Sequence, residues 1–297
     1  MDANPTAVRR RRRGDRYDGR RLRTLDPFYL ITPYVMRSRV DAQDYFEDRI
    51  DVGPAEAWLR ERRRAGHRGL RFLHLFVAAY VRTVSQKPRL NRFVAGRRIY
   101  ARSEILVSLA LKKRLHEDSP ETVVKLRFSP ADTVYDVAAT IDAAVSRNRA
   151  PEERNETDRT ARLLMRCPRT LLRLVVWLLR VLDFHGWLPR ALHRASPFHT
   201  SAFVTDLGSL GVKPIYHHLY DFGTTSVFLA FGVKERERFI GADGKVAQRK
   251  TVGLKVVNDE RICDGHYYAS AFKCLLGFFE HPERLEHPPA AVVEDVE

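Results

Sequence analysis

The chain has 297 residues, 44% of them hydrophobic and 30% charged, with a formal net charge of +15. This is ordinary globular composition, which excludes a fibrous or disordered protein, and no apolar run reaches the roughly 20 residues of a membrane span. The charge is concentrated at one end: residues 1–23 hold nine arginines, Arg9 to Arg13 in succession, against three aspartates.

Taken in chain order, residues 1–26 read as a basic flexible arm that could rest on phosphate, whether of nucleic acid or of an anionic membrane. No zinc-finger, ribonucleoprotein or helix-turn-helix pattern supports a nucleic-acid partner. Leu30–Met36 and Tyr45–Val52 read as strands, and Pro54 opens a helix over Ala55–Arg64 that Gly66 stops. Leu70–Val84 is a long apolar helix. Strands are expected at Ile99–Tyr100, Ile105–Leu111 and Val123–Phe128, then an amphipathic helix at Asp132–Val145. Ser201–Thr205, Ser226–Val233 and Val246–Val257 are strands, the last two joined as a hairpin by Gly241-Ala242-Asp243-Gly244. Tyr267–Phe279 is a final helix, followed by an acidic tail at 284–297. The pattern predicts one α/β domain over 27–283, a two-layer sandwich with a mixed sheet.

Residues 147–197 depart from that pattern as a polar loop followed by an inserted helical hairpin. Arg162, Arg166, Arg169, Arg173 and Arg180 line one helical face, opposite Leu164, Leu171, Leu172, Val175, Leu178, Leu179 and Leu182. Pro168 starts or kinks the helix, and His185-Gly186-Trp187-Leu188-Pro189 breaks it. One reading packs the hairpin on its own domain or on another subunit. The other lays Arg162–Leu182, with the basic arm, on an anionic membrane surface.

The sequence has no phosphate loop, dinucleotide fingerprint, HExxH or nucleophile elbow. Cys167, Cys263 and Cys274 lack metal-ligand or redox spacing, so neither a metal nor a disulfide framework is expected, and a reducing cytoplasm suits them. Two segments carry chemistry: Phe203-Val204-Thr205-Asp206-Leu207-Gly208, and Asn258-Asp259-Glu260-Arg261-Ile262-Cys263-Asp264-Gly265 before the last helix. Together with Ile50-Asp51-Val52 and Leu90-Asn91-Arg92-Phe93, they resemble the catalytic core of 2-oxo acid dehydrogenase acyltransferases and of chloramphenicol acetyltransferase. The order of elements agrees from about residue 27 to 283, as in short free-standing bacterial members of that family.

The resemblance implies the coenzyme A-dependent acyltransferase fold, a homotrimer, and acyl-CoA as substrate in a channel between subunits. It places Thr205 where the family has an oxyanion-supporting serine, and Asp264 where an aspartate holds local geometry, often against an arginine, here Arg37 or Arg39. Glu260 stands where the family has its general-base histidine. Three readings follow: Glu260 is the base, another histidine has taken over, or the fold is retained as a non-catalytic scaffold. The replacement candidates are His217 and His218, between Tyr216 and Tyr220 near the expected coenzyme channel, and His266. Cys263 reads as a small buried residue. The resemblance carries no lipoyl domain into this chain, since Asp243-Gly244-Lys245 is read as a hairpin tip with no domain around it.

Overall fold

The structure is a computed structural model; it describes residues 11–112, 121–149, 168–241 and 243–297. Strands β1 (Gly19–Arg21), β4 (Arg98–Arg102) and β3 (Arg92–Ala95) form a small three-stranded sheet. The main sheet has six strands in the order β2-β9-β8-β7-β5-β6: Gln43–Asp51, Val246–Asp259, Val227–Ile240, Ala202–Asp206, Ile105–Lys112 and Glu121–Phe128. Parallel pairing of β7 with both β5 and β8, beside antiparallel neighbours, makes it mixed.

Helices α2 (Gly53–Arg64), α3 (Phe72–Gln86), α4 (Val134–Arg149) and the last helix cover one face of that sheet. The mostly apolar α3 helix is buried on nearly every side, His74, Arg82, Thr83 and Ser85 included; Phe76 meets Phe231 of β8 with ring centroids 4.5 Å apart and Phe279 of the last helix at 5.8 Å. On α4 the expected stripe of Val134, Val137, Ala138, Ile141 and Val145 faces the core, the first four buried and Val145 half-buried. The opposite face has a smaller apolar cluster, Phe203, Phe228 and Val257, capped by Leu219 from the segment after β7. Pro214 of that segment seats against Gly232 at the β8–β9 bulge, where any side chain would strike the proline ring.

The strand expected at Leu30–Met36 is instead helix α1, Pro27–Val35. Asp26 accepts from the Phe28 N–H at 2.9 Å and Pro27 supplies the first helical φ, a start signal that outweighs the β-branched run. Pro33 cannot donate to the Tyr29 carbonyl, and the Thr32 hydroxyl donates to it instead at 2.9 Å.

The arm expected through residue 26 is shorter at its inner end. Residues 19–21 pair with β4, Leu22 is buried in the core, and Arg16 and Asp18 lie under the insertion. The acidic segment 284–297 is also docked: Val293 N–H donates to the Ser85 carbonyl at 2.9 Å, and Arg92 forms a buried ion pair with Asp295 at 2.6 Å.

The insertion forms α5 (Arg169–His185), closed by Gly186 at φ +75°, and a short α6 (Arg190–Ala195). Its first arginines, Arg162 and Arg166, and Leu164 lie outside the described residues. Leu172, Val175, Leu179 and Leu182 turn half-buried toward the domain. A buried polar clip holds the insertion down. Asp183 accepts from Arg16 at 2.9 Å and lies 3.2 Å from His199 Nε2, while Asp18 accepts from Arg16 at 2.9 Å and contacts His193 Nε2 at 3.0 Å. Among the described residues no helix is long and apolar enough to cross a membrane.

Candidate active site

The last helix, α7 (Gly265–Glu280), begins where the sequence motif ends. Asp264 is its N-cap, one oxygen accepting from the Tyr267 N–H at 2.8 Å and the other from the Tyr29 hydroxyl at 2.5 Å. The tyrosine bond, and then the backbone N–H, hold this carboxyl below its ordinary range. The arginine nearest Asp264 is Arg89 at 3.8 Å, not Arg37 or Arg39. Arg39 is committed elsewhere: buried under the turn, it lies 3.6 Å from Asp259 and donates to the Val94 carbonyl at 2.8 Å.

Asp259 is fully buried and gripped by Arg261, whose Nε and Nη2 each donate to it at 2.7 Å. Arg261 also reaches the Met36 carbonyl at the end of α1, at 3.0 Å. These bonds fix the turn Glu260–Ile262 and leave the Glu260 side chain outward. Partial burial raises the Glu260 carboxyl above its ordinary value, and the neighbouring charges of Asp44 and Asp259 raise it further. Burial and, after it, two anions therefore give this carboxylate more affinity for a proton than a free glutamate has.

Thr205 lies half-buried near the end of β7, on the face of Phe203, away from the helices. Strand register puts it in one row with Ala230 and Lys255. Glu260 is five residues beyond Lys255, about 17 Å along the strand and about 10 Å across the sheet from Thr205. The two expected catalytic groups thus occupy opposite ends of one sheet, and a single chain does not bring them together.

His217 stacks on Phe228, centroids 4.4 Å apart, over the same face as Thr205 and two register rows nearer Glu260. His218 is exposed, edge-on to Tyr220 at 4.8 Å, and His266 is exposed in the first turn of α7. Cys263 is fully buried and burial pushes its thiol up to about 12, which rules it out as a nucleophile near neutral pH. Among the described residues no cluster of side chains suits a metal ion.

The sequence reading missed four polar partners. Tyr29 just precedes the strand expected over Leu30–Met36, so its place on helix α1 is not foreseen, and Arg89 lies far from the motif in sequence. Arg261 stands inside the motif, two residues from Asp259, and its charge was the available signal. Lys255, in the Thr205 row, pairs with Glu47 and lies 4.5 Å from the Tyr216 ring centroid.

No protein-family model and no curated protein matches this sequence. Solved structures do match. The cubic core of the pyruvate dehydrogenase multienzyme complex aligns with a TM-score of 0.58 at 12% identity, over 87% of this chain and 88% of that one. A probable dihydrolipoamide acetyltransferase from Listeria monocytogenes 4b F2365 aligns at 0.55 and 14% identity, over 91% and 97%. Chloramphenicol acetyltransferase aligns at 0.52 and 11%, over 87% and 99%. The mixed sheet, the helical layer and the order of elements therefore make this chain a coenzyme A-dependent acyltransferase fold, the fold of dihydrolipoamide and chloramphenicol acetyltransferases.

Proposed function

We propose that the protein transfers an acyl group between acyl-CoA and an acceptor thiol or hydroxyl, at a site shared by neighbouring copies in a trimer. The observation that supports this is the separation of Thr205 from Glu260 on an acyltransferase fold. A second copy placing its Glu260 beside the first copy's Thr205 would complete the pair, as in the family the sequence resembles.

In that site Glu260 takes the proton from the acceptor as its oxygen or sulfur attacks the thioester carbon. The carbonyl electrons move onto oxygen, where the Thr205 hydroxyl donates a hydrogen bond to the developing charge. Collapse expels coenzyme A as a thiolate, and the proton held by Glu260 passes to it. Asp264, anchored by Tyr29 and by its N-cap bond, keeps the turn that carries Glu260 in place. The raised proton affinity of Glu260 narrows the gap of about 2 units between a reference glutamate and a histidine.

Calorimetric titration with coenzyme A and acetyl-CoA tests the reading without knowledge of the acceptor. Saturable micromolar binding is the expected result. A folded trimer that binds neither ligand would identify the protein as a non-catalytic scaffold. If Glu260→Gln leaves turnover intact while His217→Ala or His218→Ala abolishes it, the base is a histidine instead.

A further inference from the structure

Helix α5 buries only part of its apolar surface. Leu171, Leu174, Trp177, Leu178 and Phe184 remain exposed, and Trp187 follows just past the Gly186 cap, 67% exposed. At about 100° per residue these α5 side chains cover an arc of about 140°, with Arg169, Arg173 and Arg180 in a narrow band along its margin. Soluble domains scatter exposed apolar residues singly, so a contiguous face with two tryptophans marks a contact surface.

Charge decides what the face contacts. From Pro168 to Ser196 the only acidic residue is Asp183, and it is buried against Arg16 and His199. The exposed charges of α5, α6 and the turn between them are all cationic: Arg169, Arg173, Arg180, Arg190 and Arg194. A second copy offered the same face would bring more arginines and no exposed carboxylate to balance them, since two-fold pairing puts the same patch on both sides. A bilayer offers what the face lacks, hydrocarbon for the leucines and phenylalanine and phosphate for the guanidinium groups. Tryptophan rings settle at that boundary, and arginine stems lie along apolar surface with the charge turned to water.

The helix is also held ready. The clip of Arg16 with Asp183 fixes α5 to the domain, and Gly96 of the β3–β4 turn abuts the Phe184 carbonyl so closely that no side chain fits there. The face need not fold on binding. The α5 helix has 17 residues, and at about 1.5 Å per residue it would lie flat along roughly 25 Å of membrane.

We infer that the outer face of α5, with Trp187, is a docking surface for an anionic lipid bilayer. The inference is independent of the acyl-transfer reading. Flotation of the full chain with vesicles of phosphatidylcholine, with and without phosphatidylglycerol, tests it. Binding is expected only to the vesicles containing phosphatidylglycerol, with a blue shift of tryptophan emission from Trp177 and Trp187, because Trp58 is already buried with its N–H on Glu286 at 2.7 Å. The double variant Leu174→Gln, Trp177→Gln is expected to bind about tenfold or more weakly, and Arg173→Glu with Arg180→Glu to lose selectivity for the anionic lipid. Both pairs are exposed, so the thermal midpoint should not move. Three results would overturn the inference: no flotation by the folded protein, flotation unchanged in the Leu174, Trp177 variant, which would assign lipid binding to the basic arm, or dissociation of an oligomer by that variant, which would make the face a subunit contact.

Discussion

In the proposed mechanism Glu260 must hold a proton more tightly than free glutamate does, and partial burial, then the charges of Asp44 and Asp259, raise its carboxyl in that direction. The base works deprotonated, so turnover should fall as pH drops through the raised Glu260 pKa. Glu260→Gln should lower kcat by about 10²–10⁴ with coenzyme A binding retained. Asp44→Asn removes one of the two anions and lowers the Glu260 pKa, so the acid limb of the pH–rate profile should move to lower pH. A limb that stays put would assign it to another group. Beneath Glu260, the buried Asp259 balances Arg261 and the buried Arg39, and Asp259→Ala should cost about 3–5 kcal/mol, read from denaturant midpoints. At this scale the sequence is legible where bonding is local. Asp264-Gly265 before an apolar run reads directly as a helix start. Tyr29 and Arg39 are not legible, because their partners lie more than 200 residues away.

The polar clip beneath the insertion makes the docking of α5 sensitive to acid. Burial pushes His199 down to about 4 from 6.5, although Asp183 pulls it the other way. The folded state therefore binds fewer protons than the unfolded chain between those values, and stability rises with pH across the window. The His199 contribution should be intact above about pH 6.5 and be lost progressively toward pH 4, by an amount on the order of 3 kcal/mol. Burial would raise Asp183, but the His199 hydrogen bond and charge, then the Arg16 charge, outweigh it and hold this carboxyl at about 2. Its contribution is lost only below 3.8, where that of His199 is already spent. Urea midpoints at pH 7 and pH 5 check this: the difference should shrink in His199→Gln. Elements whose period and caps agree, such as α4 and the β8–β9 hairpin, were legible in the sequence. Helix α1 was not, because Leu30, Ile31 and Val35 favour a strand while Asp26 and Pro27 dictate a helix.

For the molecule as a whole, the separation of Thr205 from Glu260 makes a prediction about mixtures. Thr205→Ala and Glu260→Gln are each expected to be nearly inactive alone. If a site takes one residue from each of two subunits, random reassembly of equal parts should restore about a quarter of wild-type activity. No recovery, with mixed trimers demonstrated by mass spectrometry, would place the whole site within one chain. The layered fold could be read in advance because helix and strand periods alternate along the chain; the docking of residues 16–24 against 292–297 could not, since only the folded sheet brings them together. Arg92 and its counter-ion Asp295 are 203 residues apart. At a synthesis rate of about 5–20 residues per second, some 10–40 s pass between the appearance of the guanidinium and that of its carboxylate. For most of that interval the Ile262 carbonyl is missing as well, so the guanidinium has neither of these partners and must stay open to water. The nascent β1-β4-β3 sheet is thus the part of the molecule that a ribosome-bound chaperone would find unfinished longest.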